Sequence, residues 1–162
     1  MDILIRGLWR DLDVRFVFAD TATLVRRGIE VHDCDPAGAM LFGEALTVGA
    51  LLSVLLDGSE RYSLRFDYRG EAGTLLVDVD AGARVRGLIA NSHLAVCKGD
   101  RDRVFGREDA LLTFVKSDGG KVLNSGQAAC GLASVAGDAG MFFALSDQLE
   151  TEFAVEFRFR PD

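Results

Sequence analysis

The chain has 162 residues, 49% of them hydrophobic and 27% charged, with only two prolines. That is one domain, with enough apolar mass for a core of its own, and neither wholesale disorder nor a Pro-rich linker fits it. A formal net charge of −7, with no cluster of Lys and Arg, argues against nucleic acid or an anionic membrane surface as a partner. Asp2, Arg6, Arg10 and Asp11 leave no signal-peptide apolar region in the first eleven residues. The longest apolar stretch, residues 45–56, is shorter than a membrane span. Cys34, Cys97 and Cys130 are far apart and odd in number, unlike a secreted disulfide framework. The expectation is a reduced, cytoplasmic protein.

Val14, Phe16 and Phe18 alternate with Arg15 and Val17 and predict a first strand. Residues 21–30 predict a short helix behind the cap candidates Asp20 and Thr21. Asp35 followed by Pro36 is a strong helix start: a capping carboxylate, then a residue whose missing N–H costs nothing at the first helical position. The helix so begun, residues 36–56, is apolar nearly all round, the pattern of a helix buried at the centre of its domain. Asp57-Gly58 ends it.

Tyr62, Leu64, Phe66 and Tyr68 then alternate with Arg61, Ser63, Arg65, Asp67 and Arg69, a cleanly amphipathic strand. Glycine turns lead on to strands at residues 74–80 and 85–90, making an antiparallel meander. Residues 91–107 read as charged and irregular. Residues 111–116 and 121–125 predict a hairpin around Asp118-Gly119-Gly120, and residues 133–149 a further helix. Phe153, Val155, Phe157 and Phe159 alternate with polar residues and alanine and predict a last strand.

Catalytic patterns are scarce. Neither a phosphate loop nor a Gly-x-Ser-x-Gly elbow occurs. His32-Asp33-Cys34-Asp35 is consecutive, a poor geometry for one ion, and His93 with Cys97 supplies two ligands at most. Glu44 lies inside the most apolar helix, where a carboxylate needs a partner, and Arg84 and Arg86 of a neighbouring strand are the expected ones, as a structural ion pair.

The order of elements resembles the heat-shock protein 33 family, the bacterial redox-regulated holdase chaperones. The resemblance rests on the opening strand and helix of residues 14–30 and on His32-Asp33, then Pro36 and Gly43-Glu44-Ala45-Leu46. Further along it rests on Arg86-Gly87, on Val135-Ala136-Gly137-Asp138 with Phe142-Phe143, and on Ser146-Asp147-Gln148 with Thr151. Asp147 stands where the family has Glu, and Glu150 where it usually has Pro. The family continues into a linker and a C-terminal zinc domain whose four cysteines form the redox switch. No cysteine pair here has that spacing, so the chain is expected to be a single core domain, residues 1–162, with no zinc and no other cofactor.

The expected fold is α+β, a mostly antiparallel twisted sheet with helices packed on one face. The expected function is ATP-independent holding of unfolded polypeptides on exposed apolar surface, by a homodimer that is not an enzyme. The candidate client surfaces are Tyr62, Leu64, Phe66 and Tyr68, and Phe153, Val155, Phe157 and Phe159. Two alternatives stand beside this: a dimerisation module without chaperone activity, and a small-ligand domain built on Glu44, Arg84, Arg86 and His32.

Overall fold

A computed structural model describes residues 2–95, 99–106, 109–146 and 148–158. In chain order these form β1 (Ile3–Trp9), β2 (Val14–Asp20), α1 (Ala22–His32), α2 (Pro36–Leu52), β3 (Glu60–Asp67), β4 (Thr74–Asp80), β5 (Val85–Ile89), α3 (Arg101–Phe105), β6 (Leu111–Asp118), β7 (Lys121–Ala129) and α4 (Val135–Ser146). β3 to β7 make one antiparallel sheet in the order β5-β4-β3-β6-β7, and β1 with β2 makes a separate two-stranded one. This is the α+β class that the sequence predicts.

α2 organises the fold. The Asp35 side chain accepts the Gly38 N–H at 2.7 Å and Pro36 occupies the first turn, as expected from their order. Twelve of the 17 residues of α2 are buried, so it lies inside the protein with no free polar face. Residues 36–55 are long and apolar enough to cross a membrane by length and composition, yet 72% of that window is buried within the fold. Close approach sets where α2 can dock. A Cβ on Gly38 would run into the Ser92 carbonyl, and one on Gly49 would meet Val77 at 2.5 Å.

The inner sheet face supplies the rest of the core through alternate residues: Leu64 and Phe66 of β3, Leu75, Val77 and Val79 of β4, and Leu112 and Phe114 of β6. α4 adds Phe142 and Phe143, whose rings meet each other edge-on; Phe143 also meets Phe114 edge-on, and Phe142 meets Phe114 at a tilt. The outer sheet face is solvated and polar, with Ser63, Asp78 and Arg86 in a row across three strands. Gly119 and Gly120 both take positive φ in the β6–β7 turn, which suits the twist of the strands they join.

Three elements differ from expectation. β1 is a strand the sequence reading did not assign, and α3 is a short helix within a stretch read as irregular. The last strand is not formed: residues 150–158 are extended but enter no ladder among the described residues. They lie across helices, whose backbone groups are already paired internally and offer no ladder.

Candidate functional site

The first candidate client surface is core. Tyr62, Leu64, Phe66 and Tyr68 are exposed by only 5, 1, 0 and 5%. Alternation identified one apolar face correctly, but α2 and α4 cover that face. A client surface there is corrected to core packing.

The expected ion pair is also absent. Glu44 Oε1 accepts from the Ser134 hydroxyl at 2.9 Å and from the Ala136 N–H at 2.9 Å. It thus caps α4, whose first-turn N–H groups have no intrahelical acceptor and carry positive partial charge. Arg84, in the β4–β5 turn, pairs instead with Asp80 at 2.8 Å, and Arg86 of β5 with Asp78 at 3.0 Å, both arginines being exposed. A half-buried carboxylate needs hydrogen-bond donors, and backbone amides meet that need as well as an arginine does.

His32 Nε2 lies 3.2 Å from the Gly87 carbonyl, which fixes that nitrogen as the donor, and its ring meets Phe42 edge-on at 4.9 Å. His32, Glu44, Arg84 and Arg86 therefore serve separate partners and share no cleft. A hollow of about 540 Å³ at the turn end of the sheet is lined by Arg61, Asp80 and Arg84 but by neither Glu44 nor His32.

The buried polar centre lies elsewhere. Asp138 is 1% exposed. It accepts from the Tyr68 hydroxyl at 3.0 Å and from the Gly131 and Leu132 N–H groups at 2.9 Å each. Burial pushes the Tyr68 phenol up, and the neighbouring Asp138 pushes it further. Burial, then Asp138, raises the Cys130 thiol to about 12. Cys34 is raised too, by burial and then by Asp35 and Asp33. Both thiols stay protonated near neutrality, and the thiol form is a poor nucleophile and a poor metal ligand. Among the described residues no three His, Cys, Asp or Glu side chains gather as metal ligands. These residues do not fit a zinc site; Cys97 lies outside the described residues.

Among the described residues, exposed large apolar side chains are densest on the β1–β2 hairpin. Its register sets Ile3 opposite Asp20, Ile5 opposite Phe18, Gly7 opposite Phe16 and Trp9 opposite Val14. Directly paired residues share a face, so Ile3, Ile5, Trp9, Val14, Phe16 and Phe18 form one apolar surface. Each is 47–60% exposed. The three aromatic rings alone leave on the order of 300 Å² uncovered, already the size of the largest patch on many monomers. On the opposite face Val17 and Ala19 are half-buried on the side of α2, while Leu4 and Leu8 are exposed by 39% and 51%.

Two contacts hold the hairpin in place. The Asp2 carboxylate accepts the Thr23 and Leu24 N–H groups at 2.8 and 2.9 Å, capping α1 from outside it. Thr21 and Thr47 join hydroxyls at 2.8 Å. Alternation at Val14, Phe16 and Phe18 predicts a strand but not its partner. Ile3-x-Ile5, a few residues upstream, was the available sign that they form half of a hairpin.

Of the second candidate surface, Phe153, Val155 and Phe157 are half-buried against the helices, and Phe159 lies outside the described residues.

A family profile described as Hsp33 protein matches residues 2–162. The chain belongs to the Hsp33 family. It is 32% identical over 156 residues to the 33 kDa chaperonin of Clostridium novyi, covering 93% of this chain and 53% of that protein. It is 29% identical over 166 residues to the 33 kDa chaperonin of a Geobacillus species, covering 99% and 56%. The crystal structure of the 33 kDa chaperonin of Thermotoga maritima has the same fold, with a TM-score of 0.79 at 24% identity, over 90% of this chain and 51% of that one. This Hsp33-family chain thus spans about half the length of the curated relatives it matches.

Proposed function

We propose that this chain is an ATP-independent holdase that captures unfolded polypeptides on the open face of the β1–β2 hairpin. The observation that carries the reading is the set of six large apolar side chains on one face, each about half exposed. A surface of that size pairs with exposed apolar segments of other chains, and the net charge of −7 keeps a loaded complex soluble. The name 33 kDa chaperonin carried by its relatives supports the same reading. We further infer that the chain acts in the cytoplasm as a homodimer, apart from nucleic acid and membranes. It needs no zinc or other cofactor, and its holding is independent of redox state because the described thiols are neither paired nor ionised.

Light scattering of a heat-aggregating client tests this. The reduced chain at near-equimolar ratio should suppress aggregation, and Phe16→Ser/Phe18→Ser should remove the suppression while leaving the melting curve unchanged. A double variant that folds and still suppresses refutes the hairpin as the client surface. An unmodified chain that folds but does not suppress refutes the holdase.

A further inference from the structure

Residues 151–158 lie in a groove, and the groove is made of missing side chains. α4 contributes Gly140: a Cβ there would stand 2.8 Å from the Thr151 carbonyl and 3.7 Å from the Phe153 ring. α2 contributes Gly43, where a Cβ would stand 2.7 Å from the Phe157 ring and 2.9 Å from Val25 of α1. Along the extended segment Phe153, Val155 and Phe157 turn inward, and Glu152, Ala154, Glu156 and Arg158 turn outward.

The segment is held unlike any other extended part of the fold. It enters no β-ladder among the described residues. The inward side chains stay half-buried rather than closed over. It follows α4 by way of exposed Leu145 and Leu149; the Leu149 N–H donates to the Phe143 carbonyl at 3.2 Å, and Gln148 takes a φ of 51°. A segment that inserts three side chains without a hydrogen-bonded ladder opens more readily than the strands around it.

We propose that this groove, across α4 and the seam of α1 and α2, is a second polypeptide-binding site. Its ligand is an extended chain with bulky apolar residues at alternate positions, and residues 151–158 fill it as a displaceable internal ligand. The proposal deepens the holdase reading and rests on it for the identity of the ligand. Such a segment is what an unfolded chain presents wherever a strand has come loose. Specificity comes from spacing: Phe153 and Phe157, inward residues four apart and about 13 Å along an extended backbone, match the clefts left by Gly140 and Gly43. Site and strap compete, so the affinity for an outside segment is lowered by the fraction of time the strap is seated.

A fluorescent peptide with the sequence of residues 150–158, followed by anisotropy, reads this directly. The probe is titrated into the full chain and into Phe153→Ala/Phe157→Ala, whose strap is released. The released variant should bind at least about tenfold more tightly than the parent. A peptide of the same composition with its apolar residues made consecutive should not compete. Adding Gly43→Val to the released variant fills the Phe157 position and should abolish binding.

Equal affinity for parent and released variant, or binding that survives Gly43→Val in a folded protein, overturns the proposal. Hydrogen exchange on the unmodified chain needs no variant: excess peptide should accelerate exchange of the amides of residues 151–158, and unchanged exchange overturns the proposal too. These readouts involve no client. Their failure alongside intact aggregation suppression removes the groove and leaves the hairpin reading in place. Loss of suppression in the unmodified chain removes the hairpin reading instead.

Discussion

Replacing Asp138 with alanine tests the buried polar centre. The carboxylate is 1% exposed; besides the Cys130 thiol, three donors meet it, the Tyr68 hydroxyl and two backbone N–H groups of the β7–α4 connection. A hydrogen bond to a charged group contributes roughly 1.5–3 kcal/mol, and a buried donor left unmet costs roughly 1–3 kcal/mol. The three donors are not equally stranded. Gly131 and Leu132 are exposed and can turn to water, whereas Tyr68 is 5% exposed and cannot. Asp138→Ala should therefore cost about 3–5 kcal/mol, less than the full sum because two donors find solvent. Against a typical total stability of 5–15 kcal/mol that is a large share.

Tyr68→Phe removes one hydrogen bond and leaves a carboxylate with its other donors, so it should cost about 1–2 kcal/mol. Urea unfolding of the parent, both single variants and the double variant measures each loss and their coupling. In the double variant the stranded hydroxyl is gone, so it should be less destabilised than the two singles summed, by about 1–2 kcal/mol. A loss within about 0.5 kcal/mol for Asp138→Ala, or strict additivity, would refute the claim that this network holds the connection to the core.

Glu44→Leu should lower stability by about 1–2 kcal/mol, the loss of a helix cap, with Glu44→Gln milder because one acceptor remains. Thermal melts should show Arg84→Ala and Arg86→Ala within about 0.5 kcal/mol of the parent and additive with Glu44→Leu, whereas coupling would restore the ion pair. For Cys130 the folded thiol, at about 12, lies above its ordinary value of 9.0. The native state then holds a proton that the unfolded state loses, so this contribution is complete below about pH 9 and is lost as pH rises towards 12. Urea midpoints across that window should fall in the parent and fall less in Cys130→Ala; identical slopes would contradict the burial of the thiol. Gly38→Ala forces a methyl against the Ser92 carbonyl, which also accepts the Asp35 N–H at 3.0 Å. Backbone must move, so a loss of about 1–3 kcal/mol is expected in chemical denaturation, and a neutral result would mean the two segments pack less closely.

What local sequence could settle, it settled. A carboxylate before proline, an unbroken apolar helix, period-two alternation at residues 62–68 and a Gly-Gly turn each act within a few residues. The corresponding elements formed where the pattern placed them. Tertiary structure alone decided which apolar faces are covered. Leu64 and Phe66 alternate just as Phe16 and Phe18 do, yet the first pair is 1% and 0% exposed and the second 51% and 60%. Alternation states that a strand has an apolar face; only the docking of α2 and α4 determines which face receives a lid. The acid in α2 shows the same limit. Its burial within an apolar helix already demanded a partner, but hydrogen-bond donors are interchangeable to a carboxylate. The donors it met, the Ser134 hydroxyl and the Ala136 amide, lie 90 and 92 residues away along the chain and reach it only once α4 has packed against α2.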